Sequence, residues 1–208
     1  MDLGAIRNDY QGNDISALPP EPHRGIELWL NEALKTEDEA TAFSLATHAA
    51  DEISVRVVLA KNISKAGLTF YTNGLSLKGR QLAKNASAAG VFFWVKSHRQ
   101  VRFEGAVSPV PAGEADEYFA SRPHESQVAA AISNQSENIE SYEILKTTFE
   151  KAKADFAGKV IPRPPHWGGY LITFEKIEFW QGQPNRLHQR LLYTRQNDGS
   201  YLRKWLQP

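Results

Sequence analysis

Ile53-Ser-Val-Arg-Val-Val-Leu-Ala60, followed after a polar break by Leu68-Thr-Phe-Tyr-Thr72, decides the class of fold. Both runs are dominated by β-branched, aromatic and other apolar side chains. Both have the length of strands, and Asn, Ser, Lys and Gly punctuate the break between them. Ala42 to Ala46 upstream, and Val91 to Val95 and Val101 to Val110 downstream, carry the same texture. Short strands this close in sequence predict an antiparallel meander or barrel. A short helix is expected to interrupt them at about Leu75 to Lys84.

Further outward the pattern changes period. Ile26, Trp29, Leu30 and Ala33 recur at helical spacing ahead of the strands. Behind them, Ala115, Tyr118 and Phe119 share one helix face, and Ile139, Tyr142, Leu145, Phe149, Ala152 and Phe156 form a longer stripe. Ile161-Pro-Arg-Pro-Pro165 ends the helical section, because proline lacks the donor a helix needs. Strand texture returns at Tyr170 to Phe174, Ile177 to Gln181, Leu187 to Thr194 and Tyr201 to Trp205, with Asn197-Asp-Gly199 as a hairpin signal between the last two. The order of arm, helix, strands, helices and strands differs from the βαβ alternation of a doubly wound fold. It predicts a mainly β, α+β domain over residues 23–208, built as a β-barrel with helices outside it. Residues 1–22, with Leu18-Pro-Pro-Glu-Pro22 at their end, are expected to form a mobile arm.

Composition narrows the function. The chain of 208 residues has 24 basic and 24 acidic side chains. That balance gives no reason to expect broad binding to nucleic acid or an anionic membrane. The absence of cysteine excludes disulfides, zinc ribbons and thiol catalysis. Met1 to Tyr10 has no apolar core of signal-peptide length, and no run of about 18 apolar residues occurs. A cytoplasmic protein without metal ligands is the expectation. Gly74-Leu-Ser-Leu-Lys-Gly79 has the glycine spacing of a P-loop, but Arg80-Gln81 stands where Lys and Ser or Thr belong.

Three cationic constellations remain. Arg186-Leu-His-Gln-Arg190, read as a strand, sends Arg186, His188 and Arg190 to one face and Leu187 to the other. Either that face is solvated, or an anionic planar ligand lies there beside Trp180. Tyr118, Arg122 and Ser126 are spaced by four, with Pro123 between them. A helix ending near Ser121 and a second with Pro123 at its first position would make an anion site from free N–H groups, Arg122 and the Ser126 hydroxyl. The alternative is a surface arginine beside a proline break. Arg56 and Lys61, an odd number apart, fall on opposite strand faces unless Lys61 sits at the strand end. They serve either a ligand or edge protection.

Several segments, taken together, resemble the pyridoxine (pyridoxamine) 5'-phosphate oxidase family. They are RVVLAK at Arg56 to Lys61, FYTN at Phe70 to Asn73, RQV at Arg99 to Val101, YFASRPHESQ at Tyr118 to Gln127 and Gln135-Ser136. WGG at Trp167 to Gly169, EFWQG at Glu178 to Gly182, RLHQRLLY at Arg186 to Tyr193 and the ending LQP complete the set. The resemblance runs in order along nearly the whole chain. It implies an FMN-binding split β-barrel that acts as a homodimer, with residues of both chains lining each site. Its activity would be oxidation of pyridoxamine or pyridoxine 5'-phosphate to pyridoxal 5'-phosphate, with O2 reduced to H2O2.

By that resemblance Arg56, Val57, Val58, Leu59, Ala60, Lys61, Tyr71, Thr72, Lys78, Gln100, Gln135, Ser136, Trp180 and Arg190 would hold FMN. Lys61, Tyr118, Arg122 and Ser126 would hold the substrate phosphate. Arg186 and His188 would be the catalytic pair over the pyridine ring, with Leu187 between them. Arg7 and Tyr10 would belong to a segment closing over the site. One departure stands out: the family commonly has Arg-Lys where this chain has Leu77-Lys78, so weaker FMN binding or compensation by Arg80 is expected. The rival expectations are a split-barrel oxidase of another substrate, of phenazine-pathway type, and a non-catalytic FMN or pyridoxal-phosphate module.

Overall fold

The computed structural model describes residues 9–208. Helix α1 (Pro22–Ala33) starts on a proline whose fixed φ suits the first turn. It buries Ile26, Trp29 and Ala33 on one face. Trp29 meets Trp94 and Phe179 edge-on, with ring centroids 6.5 and 5.1 Å away.

Nine antiparallel strands follow: β1 (Ala42–Ala49), β2 (Glu52–Leu59), β3 (Asn62–Ser64), β4 (Gly67–Asn73), β5 (Ser87–Trp94), β6 (Arg99–Pro109), β7 (Trp167–Gln181), β8 (Gln189–Arg195) and β9 (Tyr201–Trp205). The hydrogen-bonded order is β2-β1-β5-β6-β7-β4-β3, with β8 and β9 continuing from β7. The sheet does not close into a ring, which is the split form of a barrel. Phe43, Phe70, Phe92, Phe103, Phe174 and Phe179 fill its interior, all under 4 % exposed.

Strand β7 is one element where the sequence pattern suggested two. It pairs with β6 along its length, while its first part pairs with β4 and its last part with β8. The register against β6 shifts between Glu104 and Gly105, leaving Glu175 without a partner on that strand. This extra residue flips the alternation from Ile172 and Phe174 to Ile177 and Phe179, and the flip imitates a strand boundary. A Cβ at Gly105 would lie 1.8 Å from the Thr173 carbonyl oxygen, so the bulge admits only glycine there.

The helices outside the sheet are α2 (Leu77–Lys84), α3 (Ala112–Ser121), α4 (His124–Ile132) and α5 (Tyr142–Asp155). Helix α2 starts after Ser76, whose side chain accepts the Gly79 N–H. Helix α5 starts later than the apolar stripe, because Ser141 caps it by accepting the Ile144 N–H. Ile139 therefore lies ahead of the helix. Phe119, Val128, Ala152, Ile161 and Trp167 make a second core beneath α3 to α5. Of the segment read as an arm, Ile15 and Leu18 are buried in the main core, and the Tyr193 hydroxyl donates to the Pro19 carbonyl at 2.8 Å.

Candidate active site

A cleft of about 890 Å³ opens between β2, β4, the start of α2, the α3–α4 junction and the loop after α4. Arg56, Lys61, Lys78 and Arg122 line it, and no Asp or Glu does among the described residues. Four cations without a carboxylate repel one another, so the cleft is prepared for an anion.

Two of these cations, Arg56 and Lys78, are held by neutral groups. The Arg56 guanidinium donates to the Leu45 carbonyl at 3.1 Å, to the Thr47 hydroxyl at 2.6 Å and to Ser54. Gln81, 2 % exposed, accepts from Thr47 at 2.6 Å and Ser54 at 2.7 Å, which fixes the far side of that arrangement. Lys78 donates to the Thr72 hydroxyl and to Gln135 Oε1, both at 3.1 Å, and to Ser76 at 3.3 Å. Burial, aided by the charge of Arg56, lowers its pKa to about 8. Burial also lowers the pKa values of Arg56 and Arg122. Burial, with the Glu114 carboxylate next, pushes the Tyr71 phenol up to about 12. Ser136 holds φ at 76°, a left-handed conformation uncommon for a non-glycine residue and often kept at ligand-binding turns.

Many of the residues expected from sequence meet in this cleft: Arg56 to Leu59, Lys61, Tyr71, Thr72, Lys78, Tyr118, Arg122, Ser126, Gln135 and Ser136. Ala60 is buried beside it and faces α1 instead. Lys61 lies past the end of β2, where face parity no longer binds it. Pro123 caps α4 and precedes its first residue, and both the Ser126 and Gln127 amides donate back to the Pro123 carbonyl. The expected anion site thus keeps Arg122 and the Ser126 hydroxyl but loses those two amides. Arg80 does not replace the missing basic residue at Leu77: it bonds Glu137 at 2.7 Å and the Leu75 carbonyl at 2.6 Å, away from the cleft.

The remaining candidates gather elsewhere on the chain. Gln100 lines a separate hollow of about 350 Å³ with Arg102 and Glu178. Tyr10 packs edge-on against His98, Trp180 and His188 at 4.9, 5.7 and 5.5 Å. Trp180 and His188 lie 4.7 Å apart. Arg186, His188 and Arg190 do not share a strand face. A 3-10 turn, Pro184–Arg186, puts Asn185 and Arg186 at positive φ, so β8 begins only at Gln189. Arg186 and Leu187 are exposed on that turn. His188 Nδ1 accepts the Gln183 backbone N–H at 3.1 Å, which leaves the neutral ring's proton on Nε2. Burial, then the Arg186 charge, lowers the His188 pKa. Arg7 lies outside the described residues.

The family model described as pyridoxamine 5'-phosphate oxidase matches residues 30–154, and that of the pyridoxine 5'-phosphate oxidase C-terminal dimerisation region matches residues 167–208. The chain belongs to the pyridoxamine 5'-phosphate oxidase family. It is 40 % identical over 214 residues to the pyridoxine/pyridoxamine 5'-phosphate oxidase of Psychrobacter cryohalolentis, covering 100 % of this chain and 99 % of that one. It is 48 % identical over 195 residues to the enzyme of that name from Gloeothece citriformis, covering 92 % and 91 %. Among solved structures it superposes on PhzG from Burkholderia lata, in complex with tetrahydrophenazine-1-carboxylic acid. That match has a TM-score of 0.90 and 29 % identity, and covers 97 % of this chain and 100 % of PhzG. A pyridoxamine 5'-phosphate oxidase-related FMN-binding protein from Nostoc punctiforme shares the fold, with a TM-score of 0.73 at 14 % identity and coverage of 90 % and 98 %. The family is one of flavin oxidases built on the split barrel.

Sequence reasoning passed over four residues that hold the candidate side chains in place. Trp167 was visible in the WGG motif, Glu178 in EFWQG, and Gln81 in the failed P-loop match. Thr47 carried no signal, since its partner Arg56 is reached only across β1 and β2.

Proposed function

We propose that this chain oxidises pyridoxamine or pyridoxine 5'-phosphate to pyridoxal 5'-phosphate, with FMN as cofactor and O2 as the final acceptor, reduced to H2O2. The amine substrate takes up water and releases ammonia; the alcohol needs no water. The observation that carries this reading is the cleft lined, among the described residues, by four cations and no acid. Two phosphate esters, one of cofactor and one of substrate, match that charge. The donors fit FMN in type, since Arg56 and Lys78 are oriented by neutral groups and keep their charge for a ligand. Bound there, FMN supplies the hydride acceptor.

The chain's own residues bind and orient. Arg56 and Lys78 would take the cofactor phosphate, with Thr72, Gln135 and Ser136 beside it. Lys61, Tyr118, Arg122 and Ser126 would take the substrate phosphate, so that remote binding energy fixes the reacting carbon. His188, neutral with a donor at Nε2, and Arg186 would cover the pyridine ring. Gln100, Trp180 and Arg190 would contact the flavin from the second chain of a homodimer, which accounts for their lying apart from the cleft. The C-terminal dimerisation region and the exposed apolar row Ile53, Val55 and Val57 on β2 support that assembly. No helix of the described residues is long and apolar enough to cross a membrane; a cytoplasmic location is part of the proposal.

Turnover of both phosphorylated vitamers, read as pyridoxal 5'-phosphate and peroxide formed in equal amounts, tests the reading. Arg186→Ala and His188→Ala are expected to lower turnover while flavin stays bound. The likeness to PhzG favours a second reading, oxidation of a reduced phenazine carboxylate. Turnover of such a compound with none of either vitamer would put that reading first.

A further inference from the structure

Trp167 opens β7 and is 6 % exposed. Its indole lies nearly parallel to Tyr71, centroids 5.5 Å apart at 11°, and to Tyr118, 6.1 Å apart at 12°. Tyr71 and Tyr118 stack on each other at 4.0 Å. Phe119 meets the indole edge-on at 5.1 Å. The backbone is pinned as well: Arg163 donates to the Trp167 carbonyl at 2.6 Å while pairing with Asp116 of α3 at 2.6 Å. The indole therefore has little freedom to move.

The Arg122 guanidinium lies over this ring, its central carbon 4.8 Å from the indole centroid. Arg122 is the extended residue between α3 and α4, and Gln127 holds its carbonyl at 2.8 Å. No carboxylate contacts its side chain among the described residues, and Nη1 is buried without a hydrogen-bond partner. A carboxylate would orient an arginine and also neutralise it. An aromatic face orients the guanidinium plane and leaves its charge and N–H fork free for a phosphate.

We propose that Trp167 is a positioning residue that acts through Arg122, and that the pair sets the preference for a phosphorylated over an unphosphorylated pyridine substrate. The inference rests on the oxidase reading only for the identity of the ligand. The aromatic stack adds rigidity from Tyr71 and Tyr118, so the guanidinium is presented to the cleft in one orientation before ligand arrives.

The test is a double-mutant cycle read by calorimetric titration of the flavin-loaded protein with 4-deoxypyridoxine 5'-phosphate, which cannot be oxidised, and with unphosphorylated 4-deoxypyridoxine. Trp167→Leu is expected to weaken the phosphorylated ligand about tenfold, the size of a desolvated cation–π contact. The unphosphorylated ligand should change less than about twofold. Trp167→Phe should stay within about threefold of the parent, because it keeps a ring face. In an Arg122→Leu background, Trp167→Leu should have no further effect. Should Trp167→Leu fail to retain flavin, Trp167→Met, of similar volume but with a longer, more adaptable side chain and no π face, answers the same question. Equal losses for both ligands, or additive losses in the double variant, would overturn the inference. A parent protein that binds the phosphorylated analogue selectively but oxidises neither vitamer would remove the oxidase reading alone. A parent with no selectivity for the phosphate would remove both.

Discussion

Glu178 grips the guanidinium of Arg190 on two sides, Nε to Oε1 at 2.7 Å and Nη2 to Oε2 at 3.1 Å. Its carboxylate is 8 % exposed and also accepts from Arg102 at 3.3 Å. Three neighbouring strands, β6, β7 and β8, are thereby joined by one charge, on the sheet face opposite the core side chains Ile177, Phe179 and Leu191. Arg190 Nη1 donates to the Gln207 carbonyl at 2.9 Å, so the chain's last residues share the same anchor.

Removing that carboxylate leaves a partly buried guanidinium without its counter-charge. Glu178→Ala is expected to lower stability by about 1–2 kcal/mol, between the cost of losing an exposed pair and a buried one. Urea denaturation of the flavin-free protein measures it. A loss below about 0.5 kcal/mol would mean that Arg190 finds another partner in solution.

Lys78 makes flavin binding depend on pH. Its pKa in the free cleft is about 8, below the ordinary lysine value because of burial. A bound phosphate dianion restores the ammonium and raises that pKa. FMN affinity should therefore fall as pH rises through about 8, with one proton taken up per flavin bound above it. Affinity should also fall below about pH 6 as the phosphate itself gains a proton. The stability of the flavin-free protein moves the other way: between about 8 and the unfolded value, 10.5, the unfolded chain holds more protons, so this residue's contribution rises with pH. Fluorescence titration of apoprotein with FMN across this range checks it, with Lys78→Met expected to abolish the upper limb.

Much of this was legible in the sequence, and the exceptions have physical causes. The strands at β2 and β4 announce themselves by β-branched and aromatic content, and Asn197-Asp-Gly199 forms its turn with Gly199 at φ 81°. Strand β7 read as two because a bulge resets the inside–outside alternation that the pattern relies on. The face shared by Arg186, His188 and Arg190 failed because Asn185 and Arg186 take left-handed backbone; Asn favours it, but nothing about Arg186 declares it. The cleft's cations were visible as residue types. Their neutral holders were not, since Gln81 reaches Thr47 from a helix 34 residues further along the chain.

The separation of the cleft from Trp180, His188 and Arg190 leads to a complementation test. Arg122→Leu and His188→Ala each damage one group of residues. If the two groups meet across a two-fold dimer, random mixing gives half heterodimers, each with one intact site of two, and about a quarter of parental activity. Denaturing, mixing and refolding the two inactive variants measures this. Activity that never exceeds the sum of the two variants would place each site within a single chain.

The anaerobic visible spectrum of the FMN-loaded protein, before and after adding pyridoxamine 5'-phosphate, tests the central claim most directly. Bleaching of the flavin band near ~450 nm, with recovery on admitting air, is the expected result and would show reduction by this substrate and reoxidation by oxygen. A flavin that is bound but stays unbleached would contradict the account, leaving the fold and the anion cleft without the proposed chemistry.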